Sequence, residues 1–190
     1  GDEVFVFGGR DINERTNDLY ALNTSSWTWR FVEPKGAPPE KRSFHFAARI
    51  SDERFLVVGG LSASNVHFGD VHLYDRVTNA WYKPSIAPEH ELLARGFHDG
   101  VVIGDYLYIF GGSTDFNVEL NGSTTYLNDV HRLNVAELRS AQPPPIPEPV
   151  AADGAVVSPT STTAAEEGTS TSSTATVVVP EGGFTMDLPQ

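Results

Sequence analysis

Three glycine pairs at a nearly constant spacing constrain this chain more than any other feature. Each pair ends an apolar segment, and these segments read VFVF at 4–7, FLVV at 55–58 and YLYIF at 106–110. The glycines are Gly8, Gly9, Gly59, Gly60, Gly111 and Gly112. The first members of the pairs are 51 residues apart (59 − 8) and then 52 (111 − 59). Short apolar runs that end in glycine indicate β-strands, and self-similarity at a fixed period indicates a repeat protein.

The segments that follow each glycine pair also recur. A polar loop leads to a second strand that begins near Asp18, Asp70 and Asp129, and a tryptophan follows in the first two units, as Trp27 and Trp81. The middle unit, 42–82, contains four predicted strands, at 42–48, 55–58, 70–74 and 81–82. Four short antiparallel strands in about 50 residues are the content of one blade of a β-propeller.

The repeats predict an all-β fold with two and a half to three four-stranded antiparallel blades. Their bounds are about 1–33, 42–82 and 95–139, within a folded region 1–139. The first unit lacks its opening strand, and the third has no tryptophan before the proline run 143–145, so its fourth strand is expected to be absent. We expect further blades upstream, because these units alone are too few to close a ring.

The repeated residues resemble those of the kelch family. The resemblance rests on the glycine doublet after an apolar strand, on the Asn17-Asp18-Leu19-Tyr20 type of strand, and on the later tryptophan, and it covers about 1–139. His72 and His131 depart from it, since they stand where the first unit has Tyr20. The resemblance implies a closed β-propeller in the complete protein, of which this chain would be a C-terminal part, and a role in binding another protein.

The segment 140–190 differs in composition from the rest. It is rich in proline and then in serine and threonine, and it carries six acidic residues and no lysine or arginine. Such a segment cannot bury enough apolar surface to fold, so we expect a disordered acidic tail. Phosphorylation at Ser158, or O-glycosylation of the tail, is the alternative interpretation. Asn23 and Asn121 also fit the N-glycosylation acceptor pattern, which needs a secretory setting.

Charge and composition exclude several classes of function. The net charge of −12 makes nucleic acid an unexpected partner, because nucleic acid binding requires a basic patch. The absence of cysteine excludes disulfides, thiolate metal sites and a cysteine nucleophile. No apolar run is long enough to span a membrane and no leader peptide is visible, so we expect a cytoplasmic protein without a membrane span.

The sequence predicts no catalytic residue, no metal and no cofactor. The glycine pairs precede strands, not helices, so they lack the context of a phosphate-binding loop and are expected to be structural. His45 and His98 occupy equivalent positions in successive units, which favours a packing role over a metal site at the axis. The alternative function is that of a fragment of a kelch-like enzyme, an oxidase or a specifier-type lyase, whose catalytic residues lie in blades outside this chain.

The long polar loops are the predicted binding site. Strand topology places the loops 10–16, 61–68 and 113–127 on one face, together with the connections 33–41 and 83–94. The candidate binding residues are Arg10, Arg15, Lys41, Arg42, His67, Arg95 and Asn117. Their basic character favours an acidic peptide of a partner protein, because arginine binds carboxylates bidentately. Two alternatives stay open: Arg42 and Arg95 recur because they support the blades, and Arg10 and Arg15 are only solvated.

Overall fold

The computed structural model describes residues 2–87 and 91–141, and these residues form fourteen strands and one short helix. The first sheet consists of β1 (Glu3–Arg10), β2 (Arg15–Asn23) and β3 (Thr28–Val32). The middle sheet comprises β4 (Lys35–Gly36), β5 (Arg42–Ser43), β6 (Phe46–Arg49), β7 (Arg54–Ser62), β8 (His67–Asp75) and β9 (Ala80–Tyr82). The third repeat comprises β10 (Asp99–Ile103), β11 (Tyr106–Phe110), β12 (Ser113–Asn117), β13 (Gly122–Tyr126), β14 (Val130–Asn134) and α1 (Ala136–Ser140).

The middle sheet has the four antiparallel strands that the sequence predicts. β7 pairs with β8 and β8 with β9, while β5 and β6 together form the inner strand beside β7. The two-residue strand β4 adds to the outer edge in parallel with β9. The all-β propeller-type fold is therefore confirmed. Nearly all of the predicted tail 140–190 lies outside the described residues, and no helix among those described could span a bilayer.

The first and third sheets each contain three strands, in the orders β1-β2-β3 and β10-β11-β14. In the third repeat α1 follows β14 where the middle repeat continues to β9, in accord with the missing tryptophan. The segment 113–127, which the sequence analysis treats as a loop, instead folds into the hairpin β12–β13. Its strands read STDFN and GSTTY and lack an apolar alternation, so hydrophobic periodicity could not reveal them.

The register of the first sheet changes one assignment from the sequence. Trp29 pairs with Leu22 as Trp81 pairs with Tyr74, so Trp29, and not Trp27, is the equivalent of Trp81. Trp27 lies in the turn before β3 with a φ of 55°, and it is exposed. Trp81 is only 2% exposed, whereas Trp29 is 57% exposed because no described residue covers that side of the first sheet.

Two apolar clusters join the three sheets. Phe7 and Leu19 of the first sheet pack with Val57 and Trp81 of the middle sheet. Leu56 and Val58, which point to the opposite side of β7, pack with residues of the third repeat, including Leu107, Ile109 and Leu133. Because successive side chains alternate across a strand, β7 contributes to both clusters. Its continuous apolar run FLVV follows from this burial on both faces.

The first glycines of the first two pairs, Gly8 and Gly59, lie where neighbouring repeats meet. Gly59 has a φ of 59°, a left-handed conformation that L side chains rarely adopt. A Cβ atom at Gly59 would lie 2.7 Å from the carbonyl oxygen of Arg95 and 2.8 Å from the His98 ring. At Gly8 the equivalent atom would lie 2.8 Å from the carbonyl oxygen of Arg42. The glycines therefore allow the next repeat to approach.

Gly104 supplies a matched control for this interpretation, since its φ is 58° and no atom lies within 4 Å of a Cβ placed on it. We expect Gly104→Ala to lower the free energy of unfolding by about 1–2 kcal/mol through backbone strain alone. Gly59→Ala should lower the free energy of unfolding by about 1–3 kcal/mol more than Gly104→Ala does, because the added methyl group also clashes with the neighbouring repeat. Urea denaturation of both variants measures the difference, and equal losses would contradict the close-approach role of Gly59.

Candidate functional site

Three loops from three different repeats enclose one cavity. The β1–β2 turn, the β7–β8 loop and the hairpin β12–β13 surround a volume of about 340 Å³. We call this cavity the loop cleft. It is lined by Arg10, Asn13, Glu14, Arg15, Ala63, Asn65, Phe116, Val118 and Asn121. The long loops thus meet on one face, as strand topology predicts.

Arg15 is a buried cation at the loop cleft. Its side chain is 5% exposed, its Nε donates to the Ser43 hydroxyl at 2.7 Å, and its Nη1 donates to the Ser62 carbonyl at 2.7 Å. Both acceptors are neutral, and among the described residues no carboxylate lies within ion-pair distance of this guanidinium. A charge taken out of water without an opposite charge nearby is energetically costly.

A second cation faces Arg15 directly. Arg10 and Arg15 are the last cross-strand pair of the β1–β2 ladder, where like charges destabilise each other. Burial, and then the Arg10 cation, lower the pKa of Arg15. Arg10 is exposed and forms no ion pair within 2–87 or 91–141.

Two carboxylates near this pair have other hydrogen-bond partners, and one of them, Asp11, also interacts with the Arg10 charge. Glu14 forms an ion pair with Lys41 at 2.7 Å. Asp11 Oδ1 accepts the backbone N–H groups of Asn13 and Glu14, each at 2.7 Å, and these hydrogen bonds lower its pKa. The hydrogen bond to Glu14 raises the pKa of Lys41. Lys41 is therefore charged and paired with Glu14, while Arg10 and Arg15 line the cleft.

Arg42 is fully buried and bound within its own repeat. Its Nη1 and Nη2 donate to the two carboxylate oxygens of Asp70 at 2.6 and 3.0 Å, and Nη1 also donates to the Gly59 carbonyl at 2.9 Å. His72 Nε2 lies 2.9 Å from the same carboxylate. Burial alone raises the pKa of Asp70, but the hydrogen bonds from His72 and Arg42 hold it well below its usual range.

The third repeat reproduces this arrangement with Arg95. Its guanidinium donates to Asp129 at 2.7 and 2.9 Å and to the Gly111 carbonyl at 2.8 Å, and it too is fully buried. The hydrogen bond from Arg95 is the main reason that the pKa of Asp129 lies well below its usual range. Arg42 and Arg95 therefore occupy a repeated buried ion-pair motif that lies outside the lining of the loop cleft.

His67 and Asn117 also lie outside that lining. Asn117 Oδ1 accepts the Leu120 backbone N–H at 2.9 Å and thereby shapes the tip of the hairpin. His67 begins β8, and burial lowers its pKa while the nearby Asp115 opposes that shift. Of the seven predicted binding residues, the structure brings only Arg10 and Arg15 together in the cleft.

Sequence reasoning missed Ser43, whose hydroxyl accepts from Arg15. The signal was present in the comparison of units, because Ser43 follows Arg42 whereas Gly96 follows Arg95. Ser43 has no equivalent in the third unit, although the arginine before it does. This difference indicates that Ser43 has a role specific to its own repeat. Phe116 and Val118 were missed for another reason, since their hairpin was not recognised as a folded wall.

His45 and His98 lie at the contacts between repeats. Burial first, and the Arg42 cation second, lower the pKa of His45 to about 4. Burial and then the Arg95 cation lower the pKa of His98 to about 4. Within the described part of the chain, no group of three or more potential ligand residues is placed to hold a metal ion.

Three successive antiparallel sheets, joined face to face by apolar clusters and each marked by a glycine doublet, define a propeller-type repeat protein. The family model described as the KLHDC2/KLHL20/DRC7 Kelch-repeats domain matches residues 1–161. The chain therefore belongs to the kelch-repeat family.

The chain matches only part of the length of its curated relatives. Kelch domain-containing protein 1 of Homo sapiens is 33% identical over 132 residues, which are 68% of this chain and 32% of that protein. Acyl-CoA-binding domain-containing protein 5 of Arabidopsis thaliana is 34% identical over 113 residues, 59% of this chain and 17% of that protein. Rho GTPase-activating protein gacHH of Dictyostelium discoideum is 39% identical over 87 residues, 45% of this chain and 6% of that protein. The chain thus spans about a third or less of these relatives.

The two buried histidines predict a pH dependence of stability. Because their pKa values in the folded protein lie below the ordinary histidine pKa of 6.5, the unfolded state binds more protons between pH 6.5 and 4. Stability is therefore retained above pH 6.5 and falls as the pH decreases towards 4, by about 1.4 kcal/mol per pH unit for each histidine. Urea denaturation between pH 4 and 7 should show a shallower slope for His45→Asn with His98→Asn than for the wild type. Parallel slopes would contradict this assignment.

Proposed function

We propose that this chain is part of a protein-interaction module that binds a peptide carboxylate in the loop cleft. The observation that supports this proposal is the cation pair: Arg15 is buried against neutral acceptors, and Arg10 faces it across the strands. A bound carboxylate would relieve the repulsion between the two arginines and accept hydrogen bonds from their free guanidinium N–H groups. Hydrogen bonds between charged groups contribute about 1.5–3 kcal/mol each.

The form of the cleft suits a short peptide segment. Its volume of about 340 Å³ is within the usual range for ligand sites, and its walls combine Phe116 and Val118 with Asn13, Asn65 and Asn121. Side-chain amides can pair with the backbone of an extended peptide, while the arginines fix one carboxylate. That carboxylate can belong to an acidic side chain or to the C-terminus of the partner, since both present the same carboxylate group to the arginines.

The other predicted basic residues take supporting roles in this proposal. Arg42 and Arg95 have their carboxylate partners already, in Asp70 and Asp129, so they hold the strands that carry the loops. Lys41 forms an ion pair with Glu14, so the Glu14 carboxylate is already bound to another cation. Arg15 alone combines burial with neutral partners.

We also propose that the two outer faces of this three-sheet unit pack against further kelch repeats in the complete protein. Exposed apolar side chains cover one face of the first sheet and one face of the third sheet. They are Val4, Val6, Tyr20, Trp29 and Phe31 on the first sheet, and Val101, Ile103, Phe110 and Val130 on the third. The equivalent faces of the middle sheet are buried in the two apolar clusters, which is the environment that such side chains require.

An array of acidic peptides tests the carboxylate proposal. Each peptide is paired with a version in which Asp and Glu become Asn and Gln, and each is made with a free and with an amidated C-terminus. The full-length protein should bind a subset whose affinity depends on one carboxylate, and the pairs identify its source. Arg10→Gln should weaken this binding about tenfold or more, in line with the loss of one charged hydrogen bond.

Arg49→Gln is the matched control, because Arg49 is an exposed arginine in the turn region at the other end of the strands, where it pairs with Asp52. Arg49→Gln should unfold at the wild-type temperature, since exposed charges contribute little to stability. Arg10→Gln should unfold at that temperature or slightly above it, because the variant removes the repulsion with Arg15. Equal binding of the neutral peptides, or an unchanged affinity in Arg10→Gln, would refute the proposal.

A further inference from the structure

The three loops of the cleft share a feature that their sequences do not repeat. Each displays an aliphatic side chain at its tip, where the exposed fractions range from 60% to 93%. These residues are Ile12 in the β1–β2 turn, Val66 in the β7–β8 loop, and Val118 and Leu120 in the hairpin β12–β13. We call these four residues the aliphatic rim.

We propose that the aliphatic rim selects ligands that carry a hydrophobic side chain close to the bound carboxylate. This inference rests on the proposed function of the cleft and names the class of partner that it accepts. The occupant is an extended peptide segment of another protein with a hydrophobic residue within about three positions of its carboxylate. A residue of an extended chain advances about 3.3 Å, so these positions reach from the arginines to the cleft walls.

Internal hydrogen bonds hold the loop tips in place before any ligand binds. In the first loop Asp11 Oδ1 accepts from Asn13 N and Glu14 N, and in the third Asn117 Oδ1 accepts from Leu120 N. In the second loop Ser62 Oγ accepts from Val66 N at 2.9 Å. Preorganised loops lose little conformational entropy on binding, which is the property of a recognition surface.

The rim differs from the exposed apolar residues on the outer sheet faces. Those on the first and third sheets cover strand faces and have buried counterparts in the middle sheet, so repeat packing explains them. The tips belong to loops, not to strand faces, and no repeat equivalence buries them. Val118 also lines the cleft that contains Arg10 and Arg15, and the other three rim residues lie on the loops that surround this cleft. Aliphatic contacts beside a cation pair fit a ligand that is both acidic and hydrophobic.

A paired set of peptides and two variants test this inference on the full-length protein. The starting peptide is a carboxylate-dependent binder from the array. Leu and Ser are compared in turn at each of the three positions nearest its essential carboxylate. Wild-type protein should prefer Leu over Ser at one of these positions by about tenfold or more, since a single methylene in an apolar site already changes affinity by about tenfold or more.

Val118→Ser with Leu120→Ser should reduce this preference to less than about threefold, with a larger loss of affinity for the Leu peptide than for the Ser peptide. Val77→Ser is the control, because Val77 is similarly exposed but lies in the turn between β8 and β9, at the far end of β8 from the loop cleft. It should keep the wild-type preference. Circular dichroism and melting temperature check that the variants remain folded.

Several results would overturn the inference. A wild-type protein without a preference, an undiminished preference in Val118→Ser with Leu120→Ser, or an equal loss for both peptides would each contradict it. Binding of wild type to phosphatidylcholine vesicles that the double variant loses would assign the rim to a lipid surface instead. If the wild-type protein binds no peptide in a carboxylate-dependent way, the proposed function itself fails. If it binds peptides in a carboxylate-dependent way but without a preference for Leu, only the inference about the aliphatic rim fails.

Discussion

The structure depends on a buried arginine that begins each complete repeat. The Arg42 guanidinium ties the inner strand to Asp70 on β8 and to the Gly59 carbonyl at the end of β7. Arg95 does the same with Asp129 and Gly111. The backbone carbonyl of Arg95 also accepts the Gly60 N–H of the preceding repeat at 2.8 Å. A single residue thus joins strands within one sheet and connects that sheet to its neighbour.

This contact between the arginine of one repeat and the glycine pair of the preceding repeat explains why the glycines and arginines recur together. The arginine backbone needs the space that a side chain at Gly59 would fill, and the guanidinium needs the carbonyl that the next glycine pair presents. A buried ion pair is favourable only when its hydrogen bonds are satisfied, and a bidentate contact with added carbonyl acceptors meets that condition. Arg15 is also buried but faces a serine hydroxyl and a carbonyl in place of a carboxylate. The same residue type therefore forms an internal ion pair in two positions, and we propose that it binds a ligand in a third.

The sequence was sufficient to predict the blades, because the glycine doublets recur with a period that only repeated sheets explain. It did not determine whether Arg42 and Arg95 bind a ligand or support the fold, since their partners lie 28 and 34 residues away. The aspartates at 70 and 129 aligned between units, but alignment alone does not pair them with the arginines. Trp27 and Trp29 could not be distinguished either, because residues two apart share one face of a predicted strand.

The candidate site was predictable in part. Strand topology placed the three loops on one face, and charge identified Arg10 and Arg15 there. Their direct opposition depends on the register of β1 and β2, which a polar turn does not reveal. The hairpin wall escaped prediction because its strands are held by a Ser113–Ser123 hydrogen bond and backbone pairing, with little apolar burial along them. Interactions between polar groups leave a weaker pattern in sequence than hydrophobic periodicity does.

The central claim is the division between supporting arginines and ligand-binding arginines, and NMR of the arginine side chains tests it most directly. Nε–Hε resonances of the full-length protein are recorded with and without a carboxylate-dependent peptide. The Arg42 and Arg95 resonances should be protected from exchange in the free protein and unmoved by the peptide, whereas those of Arg10 and Arg15 should shift. Shifts at Arg42 and Arg95, with Arg10 and Arg15 unchanged, would contradict the account.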